Sequence, residues 1–358
     1  MHRISAASRW VCVTASNRSD SNGSTTGPSG PVFLPLSLFL SVLISLLVAC
    51  AAYQTQPPDI DLQRVHPAGA HRLAFDPSGK RLASGGLHGT VRIWSVEDGS
   101  AITSLTGHAA PIRGLVWLDE QRLISADRSG RILLWDVPAS RVVHSLQLKA
   151  VRNMALAPDR AWLLVIEDTR LHKLALPSLQ TMAQLSVDSR LLSVAVSHGT
   201  DRVALSSRDG RVRLLDADLN SLGDLPRPSR DALDLRFSPD GETLLAGGWF
   251  RLLVWDLPQR RLQERPTEHL GKVISVDISP DGERWLSLGR STDSNFRLID
   301  ADSNQVLRRF QAHDLCGWQA RFSRHGRYAA SAAEDGSIHI YDLSQPYRPV
   351  VPYAEFDD

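Results

Sequence analysis

From about residue 60 onward the chain repeats itself, and this restricts its fold more than any other feature. The block Arg72–Ser95 ends in an apolar run closed by Trp94 and Ser95, and a second copy ends at Trp135 and Asp136. Further copies close at Leu174, Leu215, Trp255, Ile299 and Tyr341, so the markers lie 39 to 44 residues apart and make seven units. Each unit alternates apolar and polar residues, as in Leu233, Leu235 and Phe237. It then turns at a segment such as Ser238-Pro239-Asp240-Gly241 and resumes at Leu244 and Leu245. Short alternating runs split by Pro-Asp-Gly turns read as antiparallel strands, and no helical period interrupts them.

A three- or four-stranded sheet cannot bury both faces alone, and its open edges invite further pairing, so such units stack radially and close into a ring. The reading is an all-β, seven-bladed β-propeller over residues 59–345. Its units resemble WD40 repeats. Gly107 and His108 open a unit ending in Trp135-Asp136, and His313 opens one ending in Tyr341-Asp342. The resemblance implies a structural network joining the opening His, a Ser on the second strand, an Asp in the next turn and the closing Trp. In this chain it implies His313, Ser331, Asp335 and Tyr341, with Tyr in place of Trp, and a three-member version in His108, Ser125 and Trp135, with Asp127 two positions early. Units three to six depart from the pattern, most of all the third, where Leu174-Ala175 replaces Trp-Asp.

Ring closure commonly takes an outer strand from the N-terminal side. The tail 346–358 carries Pro346, Pro349 and Pro352, and proline cannot donate to a ladder. Ile60–Val65 alternates and precedes the first unit, so it is assigned to the seventh blade.

The first fifty residues read as separate from the fold. Residues 1–30 are polar and without period, which predicts disorder or a start placed too far upstream. Residues 31–49 carry no charge and form a signal or anchor segment. Leu47-Val48-Ala49-Cys50 resembles the lipobox of bacterial lipoproteins, which implies a lipid on Cys50, a tether over 50–58 and a cell-envelope location, with Ala51 favouring the outer membrane in a Gram-negative cell. An uncleaved signal anchor is the other reading.

Chemistry is sparse. No GxSxG, P-loop, HExxH or CxxC pattern occurs and the histidines show no ligand spacing, so neither an enzyme nor a cofactor or metal is expected. Asp216–Asn220 and Asp300–Asn304 open like calcium loops but lack the later Gly and Glu, and turn chemistry explains them. Forty basic residues against 39 acidic give a net charge of +1, so no net field favours nucleic acid.

By resemblance, the residue four before the end of each inner strand emerges at the narrow top rim. This selects His71, Arg113, Arg152, Leu192, Leu233, Ile274 and Trp318, with Arg190 and Lys272 two residues earlier in their units and Arg128, Arg208 and Trp249 in the turns before the third strand. The rim is either a solvated scatter of arginines or a pocket for an acidic or extended segment of a partner protein. The expected function is therefore a non-enzymatic interaction scaffold. The alternative is an enzyme or a cofactor- or metal-binding propeller working through its central channel.

Overall fold

The computed structural model describes residues 55–290 and 293–349. The polar extension 1–30, the apolar segment 31–49, Cys50 and the tail from residue 350 lie outside the described residues. Among the described residues there are 28 strands and no helix, and the strands form seven antiparallel sheets of four. The chain is an all-β, seven-bladed propeller.

Blades one to seven begin with the inner strands Ala70–Phe75, Ile112–Trp117, Asn153–Leu156, Leu191–Val196, Leu233–Phe237, Lys272–Ile278 and Gly317–Phe322. Alternation explains the packing. Side chains on the two faces of each sheet meet those of its neighbours, so the core is a set of slabs between blades. Ile93 of blade one packs with Ile112, Trp117 and Trp135 of blade two, while Leu82 and Trp94 pack with Ala330 and Ile338 of blade seven.

Closure is built from the N-terminal side. Ile60–Leu62 pairs antiparallel with Ile338–Asp342, with Ile60 opposite Ile340 and Leu62 opposite Ile338. The strand is shorter than the expected Ile60–Val65, because the chain turns at Gln63 and Arg64, where φ is 50°. The expected tether over 50–58 also needs correction where it is described. Gln56 is buried, donates its backbone N–H to the Arg309 carbonyl at 2.7 Å and accepts from Gln311 N–H at 2.8 Å. A short polar run looked free, but two unpaired backbone groups on the last strand of blade six supply it with partners.

The histidine networks are more complete than the sequence indicated. His108 Nε2 lies 2.6 Å from Ser125 Oγ and its Nδ1 2.9 Å from Asp127, while Trp135 Nε1 donates to Ser125 at 2.7 Å. Asp127, apparently out of place, is the fourth member, because it ends its strand instead of sitting in the turn. Blade one has a network the sequence reading missed, with His66 and Trp94 both bonded to Ser84 at 2.7 Å. Gly86 makes room for it, since a Cβ there would collide with the His66 ring. In blade six His269 meets Ser287 at 2.8 Å and Asp293 at 3.0 Å, Ile299 takes the place of the Trp, and Arg297, paired with Ser287 across the strands, reaches the His269 ring.

Blade seven corrects the expected membership. His313 reaches Ser331 at 2.8 Å and Ser337 at 2.7 Å, and Asp335 holds Ser337. Tyr341 does not reach Ser331. Its hydroxyl faces the Gln311 carbonyl, and the His339 ring stacks on His313 at 4.1 Å instead. The phenol oxygen sits at the far end of the ring, beyond the place from which an indole N–H reaches the serine.

Burial holds these histidines neutral, moving His66 down to about 4 and His313 to about 3. The unfolded chain binds their protons near pH 6.5, so stability is full above that pH and is lost as pH falls below it, until the folded values are reached. The urea midpoint is expected to drop between pH 7 and pH 5. His66→Gln and His313→Gln together should flatten that drop, and an unchanged slope would count against the networks as its source.

Candidate functional site

One cavity, of about 740 Å³, runs down the centre of the ring and is lined by all seven inner strands. Six of the seven inner strands carry a bulge near their upper ends, at 70/72, 112/114, 191/193, 233/236, 273/275 and 317/319. A bulge leaves its extra residue without a ladder partner and re-aims that side chain. The residues inside these bulges include His71, Arg113, Leu192, Ile274 and Trp318. Five of the positions selected from sequence are thus bulge residues, which gives them a physical reason to emerge. Blade three pairs without a bulge, and Arg152 lies just before its strand.

The selected residues do not act alike. Arg113, Arg128 and Arg208 have no carboxylate partner among the described residues, and Arg128 and Arg208 are exposed. Arg152 and Arg190 share Asp168, at 3.1 and 3.4 Å, and their charge is partly spent there. His71 is 2% exposed and packs its ring against Trp318 at 4.2 Å, so it is an interior residue of the rim. Trp318 is covered in turn by Arg290, whose guanidinium carbon lies 3.7 Å from the ring centroid. Lys272 stands 4.6 Å from the Trp249 ring and Arg230 lies 5.4 Å from it. Beside Trp249, Phe250 is 52% exposed, and Leu270 in the next loop is 69% exposed.

The sequence reading missed the charges inside the channel. Asp234 accepts from Ser275 Oγ at 2.6 Å and pairs with Arg236 and Arg321, each at 3.1 Å; Arg236 also meets Asp277 at 3.2 Å. This lattice ties the inner strands of blades five, six and seven. Burial raises the Asp234 carboxyl, but Arg236, Arg321 and Ser275 outweigh it and bring it down to about 2. For Asp277 burial prevails and the shift is upward. A partial signal was present in Leu233-Asp234-Leu235-Arg236, where two charged residues interrupt an otherwise apolar inner strand.

The turn reading of the acidic loops fits the geometry. Asp216 accepts the backbone N–H groups of Asp218 and Asn220 at 2.9 and 2.8 Å, and Asp300 accepts that of Ser303 at 2.8 Å.

The family described as "WD domain, G-beta repeat" matches at residues 62–95, 99–136 and 304–342. The chain carries WD40 repeats. Each matched segment takes in all or the end of the outer strand of one blade and the first three strands of the next, so the matches end with the third strands of blades one, two and seven. Among curated relatives, Autophagy-related protein 16 of Arabidopsis thaliana is 23% identical over 78% of this chain and 48% of its own length. Set1 complex component swd1 of Schizosaccharomyces pombe is 26% identical over 76% of this chain and 64% of its own. The guanine nucleotide-binding protein subunit beta of Saccharomyces cerevisiae is 22% identical over 67% of this chain and 50% of its own. This WD40 propeller therefore spans about half to just under two thirds of the length of these relatives.

These comparisons overturn the expected envelope location. The relatives come from a plant and two yeasts, and their names concern autophagy, a Set1 complex and guanine nucleotide binding, not a bacterial envelope lipoprotein. Three small or apolar residues before a cysteine hold too little information to set against similarity over hundreds of residues.

Proposed function

We propose that this WD40 propeller is a non-enzymatic scaffold whose top face takes an acidic or extended segment of a partner protein. The observation that carries the reading is the patch at blades five and six, where Trp249 lies between Arg230 and Lys272 beside the exposed Phe250 and Leu270. Aromatic residues and arginines next to open apolar surface make up the usual centre of a binding hot spot. The other large exposed apolar residues divide between the outer strands, such as Val142 and Met182, and one more top loop, at Leu315. Arg113, Arg128 and Arg208 add unpaired positive charge on the same face. Two of the matched relatives are named as members of assemblies, a complex component and a protein subunit, in keeping with this role.

The test is crosslinked capture of the native partner by wild-type and variant propellers. Trp249→Ala with Phe250→Ala is expected to weaken capture by about 2 kcal/mol or more, roughly thirtyfold. Arg113→Glu with Arg208→Glu should weaken it mainly at low salt, because screening removes much of a rim charge's contribution. The opposite-face pair Arg260→Glu and Arg261→Glu serves as the control. Equal losses from control and rim variants would reduce the top face to a solvated surface.

A further inference from the structure

The mouth of the channel holds more positive charge than the fold neutralises. Five guanidiniums, those of Arg72, Arg113, Arg236, Arg321 and Arg324, line the cavity, whereas Asp234 and Asp277 are the carboxylates that line it. Those two are engaged with Arg236 and Arg321. Arg72 is tied only to backbone carbonyls, those of Arg113 at 2.8 Å and His71 at 2.9 Å. Arg113 and Arg290 likewise have no carboxylate partner among the described residues. Next to them, Trp318 Nε1 and both ring nitrogens of His71 are buried with no hydrogen-bond partner among the described residues. Buried orphaned polar groups and unpaired cations are costly unless something fills the place.

The wall below this mouth is of a different kind. Met154, Leu156, Leu192, Val194 and Val196 line the cavity on blades three and four. Gly114 lets Met154 reach inward, since a Cβ at that position would collide with its Sδ. The channel is therefore cationic at its top and apolar along one side.

We infer that the channel mouth is a binding site for a small organic anion, with a carboxylate or phosphate head held by Arg72, Arg113 and Arg290 and an apolar body against the wall of blades three and four. The site shares Arg113 and Trp318 with the proposed docking face but does not rest on that reading. Burial, with the neighbouring guanidiniums behind it, disfavours further positive charge here. Burial, then Arg113, Arg72 and Arg290, bring His71 down to about 3, and burial, then Arg113, lowers Arg72 to about 9. An anion at this point relieves that repulsion and forms charge-assisted bonds to fork-shaped donors.

The experiment is calorimetric titration of the full chain at fixed ionic strength with phenyl phosphate, 3-phenylpropionate and benzyl alcohol. At least one of the two anions is expected to bind with one-to-one stoichiometry, and benzyl alcohol at least tenfold more weakly. The tighter anion identifies the head group. Arg113→Gln should weaken anion binding roughly tenfold or more, Arg290→Gln should weaken it as well, and Arg260→Gln on the opposite face should leave it unchanged. Arg290 is partly exposed, so its variant reports on the site even if the Arg113 variant folds poorly. The inference is overturned if neither anion binds more tightly than the alcohol, or if both rim variants retain wild-type affinity. Because no partner protein enters the assay, its failure leaves the docking proposal standing, and the reverse also holds.

Discussion

A chain beginning at Pro67 is expected to lose on the order of 5 kcal/mol or more of unfolding free energy relative to one beginning at Thr55, a large fraction of what a domain possesses. The segment between them does five things at once. Ile60–Leu62 supplies the fourth strand of blade seven, and Ile60, Leu62 and Val65 pack in the slab between blades seven and one. Asp59 accepts the Asp342 N–H at 2.6 Å, and His66 completes the Ser84 and Trp94 network of blade one. Gln56 ties the same segment to blade six. Its removal opens a sheet edge and leaves a buried serine short of a partner. Urea unfolding of the two chains measures the difference, and equal midpoints would mean that the ring does not depend on this closure.

Asp234→Ala is the second large effect expected, a loss of about 3 to 5 kcal/mol, because it strands Arg236 and Arg321 in the channel without their shared carboxylate. The aspartate is well placed to matter. It lies in a bulge with φ at 43°, in the left-handed region, and its two oxygens serve the guanidiniums of two blades and the hydroxyl of a third. Its carboxyl is held below the ordinary value, so its contribution is present above about pH 4 and is lost as pH falls toward about 2. Thermal unfolding at pH 7 gives the size of the loss. A double-mutant cycle with Arg321→Ala should show coupling of the two losses, and strict additivity would show that the ion pair contributes nothing of its own.

Much of this could be read beforehand. The spacing of Trp94, Trp135, Trp255 and Tyr341 gave the blade count, and the prolines of the tail directed the search for the closing strand to the N-terminal side. The histidine networks were partly legible, since His108 and Ser125 sit at fixed offsets from Trp135, but Asp127 and His66 were not. Their membership depends on where a strand ends and on how a neighbouring segment folds back. At the rim, counting back from the end of each inner strand found the bulge residues. It could not tell that Arg152 and Arg190 converge on Asp168, or that Arg290 covers Trp318.

The division between the two sources of information follows from range. Alternation, turn residues and period are local properties, and they determined that this chain makes seven antiparallel sheets, because six of the sheets, and three strands of the seventh, each form from about forty consecutive residues or fewer. Which charges meet in the channel depends on contacts between blades. Asp234 and Arg321 are 87 residues apart, and Leu73 donates its backbone N–H to Gln319 Oε1, 246 residues away. Only ring closure brings such groups within hydrogen-bonding distance. The tertiary structure therefore decided the ion lattice, the unpaired guanidiniums at the mouth and the side of the channel left apolar.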